Sequence, residues 1–123
     1  MATINGTSVG GMTLQADYSY TQNASANTST ITVTLKLINH YALYASALTG
    51  SYISVGGSKT SYSKSISYGG STTTNTTLAT KTATVTHNSD GTATCNISGT
   101  FVINGTYRGS SVGTMTVSQT ITL

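Results

Sequence analysis

Lys81-Thr-Ala-Thr-Val-Thr-His-Asn-Ser-Asp-Gly-Thr-Ala-Thr-Cys-Asn-Ile-Ser-Gly-Thr-Phe101 decides how this chain is read. Before Asn88, Ala83 and Val85 alternate with Thr82, Thr84 and Thr86. After Gly91, Ala93, Cys95, Ile97, Gly99 and Phe101 alternate with Thr92, Thr94, Asn96, Ser98 and Thr100. A period of two puts one face of a strand in a core and the other in water. Asp90-Gly91 supplies the positive φ of a tight turn, so the stretch predicts a β-hairpin.

The same alternation extends in both directions. Residues 1–11 are Gly-rich and read as a loose leader or first edge strand. Met12, Leu14, Ala16, Tyr18 and Tyr20 share one parity, as do Ile31, Val33, Leu35 and Leu37. Residues 39–50 fit a short helical turn or an irregular crossover. Tyr52–Val55 reads as a short strand closed by Gly56-Gly57, and Ser58–Tyr68 as another, with Tyr62, Ile66 and Tyr68 on one parity. Met115, Val117, Gln119, Ile121 and Leu123 mark a final strand. The pattern predicts one all-β domain over residues 1–123, an antiparallel β-sandwich of seven to eight strands, immunoglobulin-like or jelly-roll-like. A small closed barrel is the alternative. Ile4-Asn-Gly-Thr with Ser8-Val-Gly-Gly-Met-Thr-Leu14 is echoed by Ile103-Asn-Gly-Thr with Ser111-Val-Gly-Thr-Met-Thr-Val117, which suggests two similar bends leading into core strands.

Composition narrows the chemistry. The 123 residues hold only two carboxylates, Asp17 and Asp90, against Lys36, Lys59, Lys64, Lys81 and Arg108. A formal charge of +3 without a basic cluster gives nucleic-acid binding no support. Ser and Thr make up more than a third of the chain and solvate it in place of charge. Six Asn-X-Ser/Thr sequons follow from that composition. Cys95 is alone and reads as a small buried hydrophobe, so no internal disulfide is expected. No apolar run reaches a membrane span, and the N-terminus lacks the basic-then-apolar form of a signal peptide.

Catalysis finds few residues to use. A carboxylate pair would have to be Asp17 with Asp90, and Asp90 already has the ordinary work of an Asp before Gly in a turn. No Gly-X-Ser-X-Gly elbow exposes a serine. His40, His87 and Cys95 show no metal-ligand spacing. The expectation is therefore no enzyme, no metal and no cofactor. Binding fits better. Eight Tyr and no Trp offer flat apolar faces with a hydroxyl, suited to sugars and protein surfaces. Tyr18, Tyr20, Tyr62 and Tyr68 share core parity. His40, Tyr41, Tyr44, Tyr52, Tyr107 and Arg108 lie outward or off the clear strands and form the candidate ligand-binding surface. Strands with few charges and no Pro also predict edges or faces covered by another subunit or a larger assembly, and a homo-oligomer is expected.

The string Thr82–Thr94, with Ile97, Phe101, Ile103, Gly105, Tyr107, Gly109-Ser110, the closing Thr116–Leu123 and the upstream Asn27–Val33, resembles a family of minor structural proteins from siphophages and prophages of Gram-positive bacteria. That resemblance implies a virion protein of the tail tip or a tail fibre, made in the bacterial cytoplasm, with other tail proteins as partners. It brings no catalytic motif. Together with the tyrosines it leads to the expectation of a domain that binds host cell-wall polysaccharide. The alternative is a structural spacer or assembly module of the tail.

Overall fold

The computed structural model describes residues 2–123, folded as ten strands with no helix. These are β1 (Ala2–Val9), β2 (Met12–Asn23), β3 (Thr28–Asn39), β4 (Leu43–Ala47), β5 (Tyr52–Val55), β6 (Ser58–Ser61), β7 (Ile66–Tyr68), β8 (Thr74–Thr86), β9 (Thr94–Tyr107) and β10 (Ser110–Thr122). One sheet runs β1-β2-β3-β8. In the other, β9 is central, with β10 along one side and β4 and β5 end to end along the other. β7 and β6 lie outside β4 and β5. All pairings are antiparallel, and the result is the expected two-sheet sandwich.

The count exceeds seven to eight because three stretches resolve differently. Ala2–Val9 form an edge strand, paired to β2 from Ala2↔Tyr18 to Val9↔Met12 with a shift in register between Asn5 and Ser8. The ambiguous stretch 39–50 holds β4 rather than a helical turn. Ser58–Tyr68 is two short strands, because the chain leaves the ladder at Tyr62–Ser65.

The predicted hairpin around Asp90-Gly91 is a crossover. β8 pairs only with β3, in one sheet, while β9 pairs with β4, β5 and β10 in the other. The turn is real, with Gly91 at φ 86°, but it bridges the sandwich instead of joining neighbours.

The core follows the parity of the strands. Leu14, Ala16, Ile31, Val33, Leu35 and Leu37 of the first sheet meet Ile53, Val55, Cys95, Ile97, Phe101, Ile103, Met115 and Val117 of the second, all buried. Gly99 leaves room for this meeting: a Cβ there would stand 2.7 Å from Leu35 Cδ1. Tyr20 departs from its parity and is 40 % exposed. β1 begins opposite Tyr18, so no described residue of β1 flanks Tyr20.

Where β4 gives way to β5, the ladder on β9 is kept by substitutes. Leu48 N–H donates to the Val102 carbonyl at 3.2 Å, and Val102 N–H donates to the buried Ser51 hydroxyl at 2.8 Å. A buried amide left unpaired would be costly.

The two sides of the sandwich differ. On one, β1 meets β10: the Thr7 hydroxyl accepts Thr116 N–H at 3.0 Å and reaches the Thr116 carbonyl at 3.2 Å. Gly6 permits this approach, since a Cβ there would lie 2.2 Å from that carbonyl oxygen. On the other side, β8 faces β6 and β7 through side chains, with Lys81 Nζ donating to Thr60 Oγ1 at 2.7 Å. The echoed segments differ in placement. The first bends at Gly10-Gly11, after Ser8-Val9, whereas the second bends at Arg108-Gly109, before Ser111-Val112. They share the opening of a core strand, with Met12 and Met115 both fully buried.

Candidate functional site

Four of the six candidate residues gather at one end of the sandwich. The connection after β3 carries His40 and Tyr41, the end of β9 carries Tyr107, and the turn after it carries Arg108. Tyr107 continues the inward parity of Cys95, Ile97, Phe101 and Ile103 and is completely buried. It is therefore no part of the surface on which the sequence placed it. Its hydroxyl accepts the N–H groups of His40 at 2.9 Å and Tyr41 at 3.2 Å, fixing the loop from below.

The loop has further anchors. Asn39, fully buried, donates from Nδ2 to the Tyr41 carbonyl at 3.0 Å, while its Oδ1 accepts no bond from the described residues. His40 Nδ1 is 2.8 Å from Thr73 Oγ1, which ties in the connection between β7 and β8. Arg108 stands at φ 52°, a left-handed position that a non-glycine residue adopts at some cost. Its guanidinium carbon lies 4.4 Å from the centre of the Tyr41 ring, and Nη1 donates to the Gly10 carbonyl at 3.3 Å. The Tyr41 and Tyr107 rings are 6.4 Å apart and tilted by 59°. Tyr41 is thus a half-exposed aromatic held by a cation on one face and by its own backbone below.

Tyr44 adjoins this end on the outer face of β4, opposite Thr106 and Ser67, and is 62 % exposed. A Cβ on Gly69 would lie 2.4 Å from the Tyr44 hydroxyl, so that glycine makes room for the ring. Tyr52 lies apart. It pairs with Thr100, six residues along β9 from the Thr106 opposite Tyr44, or about 20 Å away. Lys59 Nζ sits 4.0 Å from the centre of its ring. Of the core-parity tyrosines, Tyr62 stacks on Phe101 at 6.2 Å and donates its hydroxyl to the Thr100 carbonyl at 3.0 Å. Burial pushes its phenol well above the ordinary value, so it stays neutral.

The surface therefore comprises His40, Tyr41, Tyr44 and Arg108, with Thr73 as a member that the sequence did not reveal. Thr73 lies in Ser71-Thr-Thr-Thr-Asn-Thr-Thr77, where nothing local separates it from its neighbours. What the surface offers is flat aromatic area, one guanidinium and hydroxyl groups.

The carboxylates have separate work. Asp17 is buried on the outer face of the first sheet, paired with Lys36 and accepting the Thr3 hydroxyl at 2.8 Å. Burial alone would raise its pKa, but the bonds from Lys36 and Thr3 outweigh that and hold it below the ordinary value. Asp90 accepts both the amide and the hydroxyl of Thr92, at 3.0 and 2.6 Å, and the Thr92 hydroxyl and amide lower its pKa. Burial raises the Cys95 thiol, as befits a packing residue. Among the described residues, no three His, Cys, Asp or Glu side chains converge to hold a metal ion, and no helix is long and apolar enough to cross a membrane.

His87 is a clasp within the crossover. Nδ1 donates to the Gly91 carbonyl at 2.7 Å, which leaves Nε2 to accept the buried Ser29 hydroxyl at 2.6 Å. Asn27, at φ 54°, donates from Nδ2 to the carbonyls of His87 and Asn88. His87 N–H donates back to the Asn27 carbonyl at 2.8 Å. The His-Asn-Ser-Asp-Gly-Thr string thus builds the arch between the sheets.

A protein-family model described as "Siphovirus protein of unknown function (DUF859)" matches residues 11–123, nearly the whole chain. The chain belongs to that siphovirus family. No curated protein matches it.

Proposed function

We propose that this siphovirus protein is a non-enzymatic domain of the virion, at the tail tip or a tail fibre, that attaches to host cell-wall polysaccharide through Tyr41, Tyr44 and Arg108. The observation that carries the reading is the pair of tyrosines, 44 % and 62 % exposed, on a rigid end of the sandwich. Ring area left in water is available to stack on a sugar. Arg108 and the Thr73 hydroxyl beside them supply hydrogen bonds to sugar hydroxyls. Each such bond is worth about 1 kcal/mol. Useful affinity then comes from many copies on one particle, by roughly a hundredfold or more.

A second reading is a spacer or assembly module of the tail, with the same tyrosines at subunit contacts. Exposed Leu48, 45 % accessible, favours it, since an apolar side chain suits a protein contact better than a sugar hydroxyl. Tyr41→Ala and Tyr44→Ala separate the two. Adhesion predicts lost sedimentation with host cell walls and an unchanged oligomeric state. Assembly predicts a change in oligomer size by light scattering. Tyr107 is unsuited to this test because its removal would collapse the loop from inside.

A further inference from the structure

The open side of the sandwich holds a second surface of different chemistry. Asp17 is committed to Lys36, and Asp90 to Thr92. Among the described residues this leaves Lys59, Lys64, Lys81 and Arg108 without a carboxylate partner; Lys81 sits on β8, Lys59 on β6 and Lys64 in the segment after β6. Lys81 Nζ reaches Thr60 on β6. Lys64 shares a groove with Ser65, Ser67 and Tyr68 and with Thr74 and Thr76 of β8. The segment from Thr60 to Lys64 therefore runs beside β8 from Lys81 to Thr76. Lys81 and Lys64 are separated along the seam by about five strand residues, or ~17 Å. Lys59 extends the positive field around the β6 end, over Tyr52.

Edge protection explains a lysine on a strand. It does not explain Lys64, which lies off any strand and is exposed, nor a cleft whose polar lining is mainly hydroxyls. Ammonium groups spaced along a hydroxyl-lined seam match an extended chain of phosphates. Lysine binds phosphate as a point charge, and Ser and Thr donate to its free oxygens. The aromatics of this side are tied down: Tyr62 by Thr100, and Tyr68 by the Thr72 carbonyl at 2.9 Å. Tyr68 is the one aromatic lining the groove, whereas single-stranded nucleic acids use successive stacking platforms.

We propose that the seam between β8 and the Lys59–Lys64 segment binds a linear phosphodiester polymer whose phosphates are joined by small hydroxylated units. This does not rest on the Tyr41–Tyr44–Arg108 surface and uses none of its residues.

The test uses the intact chain and synthetic poly(glycerol phosphate), by equilibrium titration at low and at high salt. Binding at low salt, weakened several-fold at high salt, is expected. Lys59→Gln and Lys64→Gln, both exposed, should each weaken it roughly fivefold, as expected for one lysine at an anionic surface. Lys36→Gln should not, provided that the variant remains folded by circular dichroism. Absence of binding at low salt would overturn the proposal. So would equal binding by the Lys59→Gln/Lys64→Gln double variant, or equal affinity for poly-glutamate or oligo-thymidylate. Tyr41→Ala leaves this binding intact, so failure here and failure of the polysaccharide reading are told apart.

Discussion

Tyr107, wholly buried at the end of β9, holds Tyr41, half-exposed on the loop after β3, by accepting its N–H at 3.2 Å. One core side chain thus sets the position of a surface ring. The same hydroxyl accepts the His40 N–H at 2.9 Å. Tyr107→Phe keeps the ring and strands both donors. The expected cost is about 1–3 kcal/mol in urea unfolding, together with weaker binding to cell wall because the Tyr41 loop loosens.

His87 is predicted to matter for the arch and not for binding. His87→Ala removes the bonds to Ser29 and Gly91 and leaves a buried hydroxyl without its acceptor. A loss of about 2–4 kcal/mol is expected. Amide exchange should accelerate first at Asn88 and Gly91, whose N–H groups bond the Thr92 and Asn88 carbonyls and close the turn. Cell-wall binding at a temperature where the variant stays folded should be unchanged.

How much of this was legible in the sequence depends on which neighbour decided each feature. The faces of β2, β3 and β9 followed from alternation, because burial acts residue by residue along a strand. The crossover at Asp90-Gly91 was not legible. The same turn and flanking pattern serve a hairpin and an arch, and only long-range pairing with β3 on one hand and β10 on the other separates them. Tyr107 could have been found. Its parity with Phe101 and Ile103 runs unbroken through Gly105, and the adjacent turn residues drew attention away from it. Thr73 could not, since its role rests on His40 reaching it from another part of the chain.

The seam between β1 and β10 hangs on Gly6. Gly6→Ala drives a methyl group onto the Thr116 carbonyl and the Val117 side chain, where backbone must move. A destabilisation of about 1–3 kcal/mol is expected. Hydrogen exchange should show it concentrated at Thr116, whose N–H bonds Thr7.

Acid should weaken the fold through Asp17. Its pKa in the folded state lies below the ordinary 3.8. The unfolded chain therefore takes up its proton first as pH falls. The contribution of the carboxylate is fully present above about pH 5 and is lost as pH drops through the folded-state value. Urea midpoints measured from pH 6 to pH 2.5 should fall over that window. In Asp17→Asn the midpoint should start lower and the fall should be smaller.

The central claim is that the Tyr41–Tyr44 end recognises the host wall. The most direct measurement is co-sedimentation of a multimerised form of the protein with purified Gram-positive cell wall, comparing the wild type with Tyr41→Ala/Tyr44→Ala. The account predicts saturable binding by the wild type and at least a tenfold loss in the double variant, about 1.4 kcal/mol or more, with stability lowered only by the lost Tyr41–Arg108 contact, about 0.5–1 kcal/mol. Wild type and double variant sedimenting alike, or a wild type that stays in solution, would contradict it.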